Sequence, residues 1–277
     1  MMLKDPNHMA YSDIKEVFNL NSIISTLIKN ANKDTLIIFD VDEVLIMPTP
    51  EYDFRDPYRI KILENISKQL TNNQIDFFKS IIFAQREVKL IDPDLNKLFD
   101  LIVSMNIPSL ALTAMGTGKF GIINNMVAFR IKELSKFNIS FKLLTPWSGE
   151  YIVNVLNNVT KIFPDTYGVP CLNSGIIFTA GMDKGIVLAC ILQKYNYYPK
   201  NIIFVDDYLP NLESLKQLCI KLGINFYGFH YKAASLVPLP TVNEKLEILR
   251  FQKMLHERTW LNYNDINFSN KKIKSLK

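Results

Sequence analysis

Five short apolar runs, rich in β-branched residues, recur along the chain, and polar residues follow most of them. Uninterrupted apolar runs of this length are typical of strands buried on both faces of a parallel sheet. The pattern therefore predicts five strands, at residues 35–40, 109–113, 175–179, 201–206 and 225–230.

Stretches with helical periodicity separate these runs. Residues 184–195 and 212–222 are two of them, and Gly223 after the second is typical of a helix C-terminus. Strands that alternate with helices indicate an α/β fold, with a Rossmann-like parallel sheet and helices on both faces. Ligands bind at the carboxyl ends of the strands in such sheets, so the residues just after each run are the candidates for chemistry.

The intervals between the strands divide the chain into three parts. Residues 48–105 exceed what one crossover helix needs and predict a mainly helical insertion, or cap, whose entry is stiffened by Pro48, Pro50 and Pro57. Residues 1–47 and 106–240 form the predicted core, with further helices at 120–137 and 151–162. Residues 241–277 predict a terminal helix at 242–256 and a basic tail. Which insertion forms the lid over the site stays open.

Composition narrows the function classes. Of the 277 residues, 48% are hydrophobic and 21% charged, as in an ordinary globular protein, and a net charge of +5 is too modest to indicate nucleic-acid binding. We find no nucleic-acid motif. Three dispersed cysteines form no disulfide framework, and the three histidines suggest no zinc site. Without an apolar run of membrane-spanning length, we expect a cytoplasmic protein, although non-standard secretion stays open.

Acidic residues follow two of the predicted strands. Asp40 and Asp42 come directly after the first, and side chains two residues apart point the same way if the strand persists. Asp206 and Asp207 close the fourth. Adjacent carboxylates after a buried strand repel each other and are costly to desolvate unless a cation is near. Asn211 follows, where an acidic turn leading into a helix cap is the alternative interpretation.

Two other strands supply different groups. Thr113 and Ala114 end the second run, where a hydroxyl and backbone N–H groups could bind a phosphoryl oxygen. Lys184 begins the helix after the third run. The positive end of the helix dipole disfavours a cation there, so an anionic partner is expected. Taken singly, each has a structural alternative: threonine favours strands, and lysine is usually solvated.

The order of these groups along the chain resembles the four motifs of the haloacid dehalogenase (HAD) superfamily, of the phosphatase type. The D-x-D, Thr, Lys and D-D motifs extend from Asp40 to Asn211. Residues 175–181, before the lysine, are also similar to an uncharacterised bacterial HAD-like family. Two positions depart from the common pattern: Glu43 stands where many relatives carry glycine, and Val44 where many carry threonine.

The resemblance implies a role for each residue. Asp40 would be the nucleophile that forms an aspartyl-phosphate, and Asp42 the acid/base. Thr113 and Lys184 would bind the phosphoryl group. The resemblance further implies that Asp40, Asp42 (through its backbone carbonyl) and Asp206 hold Mg²⁺. Asp207 and Asn211 would support them, Asp207 by fixing a metal-bound water or orienting Lys184.

The expected function is therefore Mg²⁺-dependent hydrolysis of a small phosphorylated substrate. Two alternatives stay open: a phosphotransferase or mutase that shares the aspartyl-phosphate step, and a non-catalytic HAD-like binding or effector protein. Aromatic residues in and near the insertions, such as Tyr52, Phe54 and Trp147, would suit a protein partner, although aromatic side chains more often pack in cores.

Overall fold

An eight-stranded, mostly parallel sheet forms the centre of the protein in the computed structural model, which describes residues 11–153 and 168–261. The strand order is β1-β10-β9-β2-β5-β8-β7-β6. The first six strands in this order run parallel, and β7 and β6 add an antiparallel edge. A separate two-stranded sheet consists of β3 and β4. The strands are β1 Ser12–Val17, β2 Thr35–Phe39, β3 Ile46–Pro48, β4 Val88–Leu90, β5 Ser109–Thr113, β6 Tyr151–Ile152, β7 Cys171–Asn173, β8 Ile176–Phe178, β9 Asn201–Asp206 and β10 Asn225–Tyr231.

Helices flank the sheet on both faces. Alternate residues of β2 serve the two sides: Leu36 and Ile38 join the core formed with α6 and α7, whereas Phe39 packs against Phe99 of α4 and against Phe141. All five β2 residues are buried, as the continuous apolar run requires. The helices are α1 Asn21–Asn30, α2 Pro57–Ser67, α3 Asn72–Gln85, α4 Leu95–Ser104, α5 Met126–Ser135, α6 Lys184–Lys194, α7 Leu209–Leu222 and α8 Glu244–Glu257.

The predicted α/β class is confirmed, and all five predicted strands are present within one or two residues of the expected bounds. Helix α7 ends at Gly223, which adopts the left-handed conformation with φ of 64°. The terminal helix is also found, as α8.

Two predicted helices differ from the structure. The one expected at 120–137 begins only at Met126, because Asn125 caps the helix by accepting a hydrogen bond from the Ala128 N–H at 2.9 Å. The helix expected at 151–162 is wrong at its start, since Tyr151 and Ile152 pair with β7 as strand β6. Its remainder, from 154 onward, lies outside the described residues.

The chain divides into two compact units. The first comprises residues 1–47, 90–118 and 125–236, and the second 48–89, 119–124 and 237–277. The second unit therefore joins most of the predicted insertion to the C-terminal segment, whereas α4 belongs to the first unit. Every candidate site residue lies in the first unit. Within the described ranges, no helix combines the length and apolar character needed to cross a membrane.

Candidate active site

The site forms where two neighbouring strands end side by side. β2 pairs with β9 in parallel register, and the N–H of Asp40, just past β2, still donates to the Val205 carbonyl at 2.9 Å. Asp206 is the last residue of β9. The shared register brings the two carboxylates together, as the sequence predicted from their positions after buried strands.

Lys184 links these two carboxylates. Its ammonium lies 2.9 Å from Asp40 Oδ1 and 2.7 Å from Asp206 Oδ2, and its side chain is almost completely buried. A lysine at a helix N-terminus was expected to have an anionic partner, and Lys184 has two, Asp40 and Asp206. The Val41 N–H also donates to Asp40 Oδ1, at 2.7 Å. Among the described contacts of Asp40, both of these are made by Oδ1.

The first turn of α6 sets the position of Lys184. Asp183 caps the helix by accepting from the Ile186 N–H at 2.8 Å, and it accepts a second bond from the Ser214 hydroxyl of α7 at 2.6 Å. Gly185 permits this approach of the two helices, because a Cβ there would meet the Ser214 hydroxyl and stand 2.9 Å from its carbonyl oxygen. A larger residue would displace α6, and Lys184 with it.

Asp206 is held on several sides. The Asn211 amide donates to both carboxylate oxygens at 3.1 Å, and the Tyr208 N–H donates to Oδ1 at 2.8 Å. A fully buried carboxylate needs such partners to offset its desolvation. Asn211 thus lies beside the site, as predicted, where it fixes the orientation of Asp206.

Asp207 completes a group of three carboxylates. One oxygen each from Asp40, Asp206 and Asp207 lies within 4.8 Å of the others. Burial raises the pKa of Asp207 to about 6, and Asp206 and Glu43 contribute to the rise. When all three carboxylates are ionised, the one ammonium of Lys184 balances only part of their negative charge. Oxygen donors in this arrangement suit a hard divalent cation.

Burial also governs the protonation of the ion pair. It raises the pKa of Asp40 to about 8, with Lys184 opposing the rise and Asp206 adding to it. For Lys184, burial favours the neutral amine, but Asp40 and Asp206 outweigh it and the pKa is raised. The lysine therefore stays charged, and a further cation would favour the ionised carboxylate of Asp40.

Thr113 ends β5, the strand on the other side of β2. Its hydroxyl oxygen accepts from the Met115 N–H at 3.3 Å, and the carbonyl of Ala114 accepts from Gly181 at 2.9 Å. The loop after β5 is thereby tied to the loop after β8. Phosphate binding by Thr113 and Ala114 remains a prediction.

Asp42 has a partner that sequence reasoning missed. Arg130, completely buried on α5, donates from Nη2 to Asp42 Oδ2 at 2.5 Å and from Nη1 to Glu133 Oε2 at 2.8 Å. The Asp42 carboxylate thus lies against Arg130, while the carboxylate group next to Lys184 comprises Asp40, Asp206 and Asp207. An arginine in an amphipathic helix is normally exposed, so nothing in the sequence indicates that Arg130 is buried.

Comparison with known proteins supplies a family. Residues 16–267 match the family described as Protein of unknown function (DUF2608). The chain belongs to the DUF2608 family. It is 22% identical to the "Uncharacterized protein RP296" of Rickettsia prowazekii over 259 residues, which are 92% of this chain and 90% of that protein.

Solved structures with similarity to this DUF2608 protein are distant. A haloacid dehalogenase-like hydrolase of Streptococcus pneumoniae is 16% identical with a TM-score of 0.39, over 78% of this chain and 97% of the other. A HAD-superfamily hydrolase of Geobacter sulfurreducens is 11% identical with a TM-score of 0.35, over 79% and 97%.

Glu43 stands at a strained position in this DUF2608 protein. Its φ of 60° lies in the left-handed region that favours glycine. The turn is closed by its N–H, which donates to the Ile46 carbonyl at 2.8 Å. The glutamate adds negative charge near Asp207, so the backbone strain accompanies a more acidic site.

Replacing Asp207 with asparagine should stabilise the metal-free protein in a pH-dependent way. The pKa of Asp207 is about 6 in the folded protein and near 3.8 in the unfolded chain, so the folded state binds this proton more tightly. The stability that the bound proton contributes to wild type is therefore lost as the pH rises from about 4 to 6. As the pH is raised from 4 to 7, we expect the free energy of unfolding of Asp207→Asn to increase relative to that of wild type by on the order of 1–3 kcal/mol.

Urea denaturation in a chelator at these pH values measures the difference. Glu213→Gln, which replaces an exposed carboxylate of α7, is the matched control. If Asp207 helps to bind Mg²⁺, excess Mg²⁺ should reverse the ranking at pH 7, because wild type would then gain more stability than Asp207→Asn. A difference between wild type and Asp207→Asn that stays constant with pH would contradict the expected protonation of Asp207.

Proposed function

We propose that this DUF2608 protein is a Mg²⁺-dependent phosphomonoester hydrolase that acts through an aspartyl-phosphate on Asp40. The observation that carries the proposal is the buried contact of Lys184 with both Asp40 and Asp206, beside the third carboxylate of Asp207. This arrangement joins three of the motifs whose order resembles the HAD superfamily.

The nucleophile is the Asp40 carboxylate. Its Oδ1 is held by Lys184 and the Val41 N–H, so Oδ2 attacks phosphorus while the bond from phosphorus to the leaving oxygen breaks. Asp42 acts in its protonated form in this step and gives its proton to that oxygen. In the second half of the reaction Asp42 takes a proton from water, which attacks phosphorus and releases Asp40. The net change is ester plus water to alcohol plus phosphate.

Lys184 contributes positive charge next to the nucleophile. Its ammonium, held by two carboxylates in a buried site, neutralises charge that an incoming phosphoryl oxygen would otherwise meet. Thr113, at the end of the adjacent strand, would bind another phosphoryl oxygen through its hydroxyl. These groups are fixed before the substrate arrives, so little reorganisation is needed during the reaction.

Asp40, Asp206 and Asp207 would hold Mg²⁺. The fit rests on their donor chemistry, since three carboxylates of which two are buried stand against one ammonium. When bound, the ion supplies positive charge to the phosphoryl oxygens and favours the ionised form of Asp40.

The test is phosphate release from a panel of phosphorylated metabolites, measured with Mg²⁺ and with a chelator in its place. The proposal expects release from at least one substrate class that requires Mg²⁺. Asp40→Asn serves as the inactive control. Release that persists in the chelator would contradict the metal requirement, and no release across the panel would favour a binding role.

A further inference from the structure

The ion pair between Asp42 and Arg130 joins an exposed group to a buried one. The Arg130 side chain is 0% exposed, whereas that of Asp42 is 44% exposed. The guanidinium spans two carboxylates, with Nη2 on Asp42 and Nη1 on Glu133. Glu133 lies one helical turn farther along α5 and is itself buried at 3% exposure.

Burial of the Arg130 guanidinium carries a desolvation penalty. Removing a guanidinium from water costs several kcal/mol, and apolar residues of similar volume are often as stable or more stable at such positions. Glu133 compensates the charge from inside the fold. Asp42, by contrast, is half solvated and needs no ion pair for its own solvation. The arrangement therefore orients Asp42 more than it stabilises the core.

The planar guanidinium suits this task. With one nitrogen fixed by Glu133, the other presents its N–H in a single direction, so it selects one rotamer of Asp42. Oδ2 is the oxygen that Arg130 holds. One oxygen of Asp42 is thus restrained, in the same way that Val41 and Lys184 restrain one oxygen of Asp40.

We propose that Arg130 is a positioning residue that holds Asp42 in place for proton transfer to the leaving oxygen and from the attacking water. The inference rests on the proposed hydrolase and deepens it. Arg130 itself neither gains nor loses a proton in either step. A displaced Asp42 would transfer its proton poorly, and the defect would grow as the leaving group becomes more basic.

The experiment compares leaving groups of different basicity in full-length variants. Arg130→Met removes the guanidinium, Arg130→Lys keeps the charge but not the fork, and Asp42→Asn gives the limit. Lys132→Met, at an exposed position of the same helix, is the matched control. A double variant, Arg130→Met with Glu133→Met, guards against misfolding by removing the buried carboxylate together with its partner. A series of aryl and alkyl phosphates is hydrolysed with Mg²⁺, and kcat and KM are measured for each.

We expect Arg130→Met and the double variant to lose about 10–100-fold in kcat on alkyl phosphates, with little change in KM. Formation of the phosphoenzyme from p-nitrophenyl phosphate, whose leaving group needs little acid assistance, should change far less. In the Arg130 variants, the rate of phosphoenzyme formation should depend more steeply on the basicity of the leaving group, approaching the dependence found for Asp42→Asn. Arg130→Lys should recover part of the loss.

Other outcomes separate the two proposals. If wild type releases phosphate and the folded Arg130 variants lose nothing, or form the phosphoenzyme more slowly by the same factor with every leaving group, the positioning role is overturned and the hydrolase stands. If wild type releases no phosphate from any ester, both proposals fail together.

Discussion

Asp40→Asn should abolish phosphate release, by a factor of about 10³ or more, while leaving the fold intact. An amide oxygen is a far weaker nucleophile than a carboxylate. The variant also removes one of the two anions that hold Lys184, although Asp206 at 2.7 Å remains. Stability should therefore change little, and Mg²⁺ binding should weaken.

Asp42→Asn provides the contrast. With p-nitrophenyl phosphate the first step needs little acid assistance, so the variant should form phosphoenzyme in a burst that approaches one equivalent. The second step lacks its base and should be slow. Rapid-quench measurement of protein-bound phosphate distinguishes the two variants, because Asp40→Asn should give none. Steady turnover by Asp40→Asn at the wild-type rate would contradict the assigned nucleophile.

Glu247→Gln should destabilise the second unit by roughly 3–5 kcal/mol, the range for breaking a buried ion pair by removing one charge. Glu247 Oε1 lies 2.9 Å from both Arg59 Nη2 of α2 and Arg250 Nη1 of α8, and all three side chains are 0% exposed. A neutral amide would leave two guanidinium groups facing each other in the interior.

Hydrogen exchange of the α8 amides measures this loss. Glu244→Gln, which replaces an exposed glutamate in the first turn of α8, is the control and should cost only a few tenths of a kcal/mol. Replacing all three charged residues by apolar ones should recover stability incompletely, because the two arginines also donate to the backbone carbonyls of Pro50, Asp53, Glu51 and Leu261. Unchanged exchange in Glu247→Gln would show that the triad contributes no net stability.

The sequence predicted those features that depend on local pattern. β2 and β9 were evident because parallel strands buried on both faces are apolar throughout, and Asp40 and Asp206 followed because ligands gather where such strands end. Lys184 was identified by a local misfit, a cation at the positive end of a helix. All of these are properties of one segment and its immediate neighbours.

The missed features depend on residues far apart in the chain. Arg130 and Asp42 are 88 positions apart, and burial of an arginine cannot be inferred from the helix that carries it. The sequence predicts a helix where β6 lies, because the two residues of that strand take their conformation from pairing with β7. The sequence predicts no strand at β1, because Ser12–Val17 is a polar edge strand without an apolar run. Tertiary partners decided each case.

The contact of Arg59 with Glu247 has a consequence for the order in which the protein is completed. The two residues are 188 positions apart, and α8 belongs to the same unit as α2 and α3. During synthesis, residues 48–89 leave the ribosome long before α8 exists. The contact between Arg59 and Glu247 therefore cannot form until α8 emerges. The second unit is therefore finished last, although it begins near the N-terminus, because α2 and α3 must wait for α8.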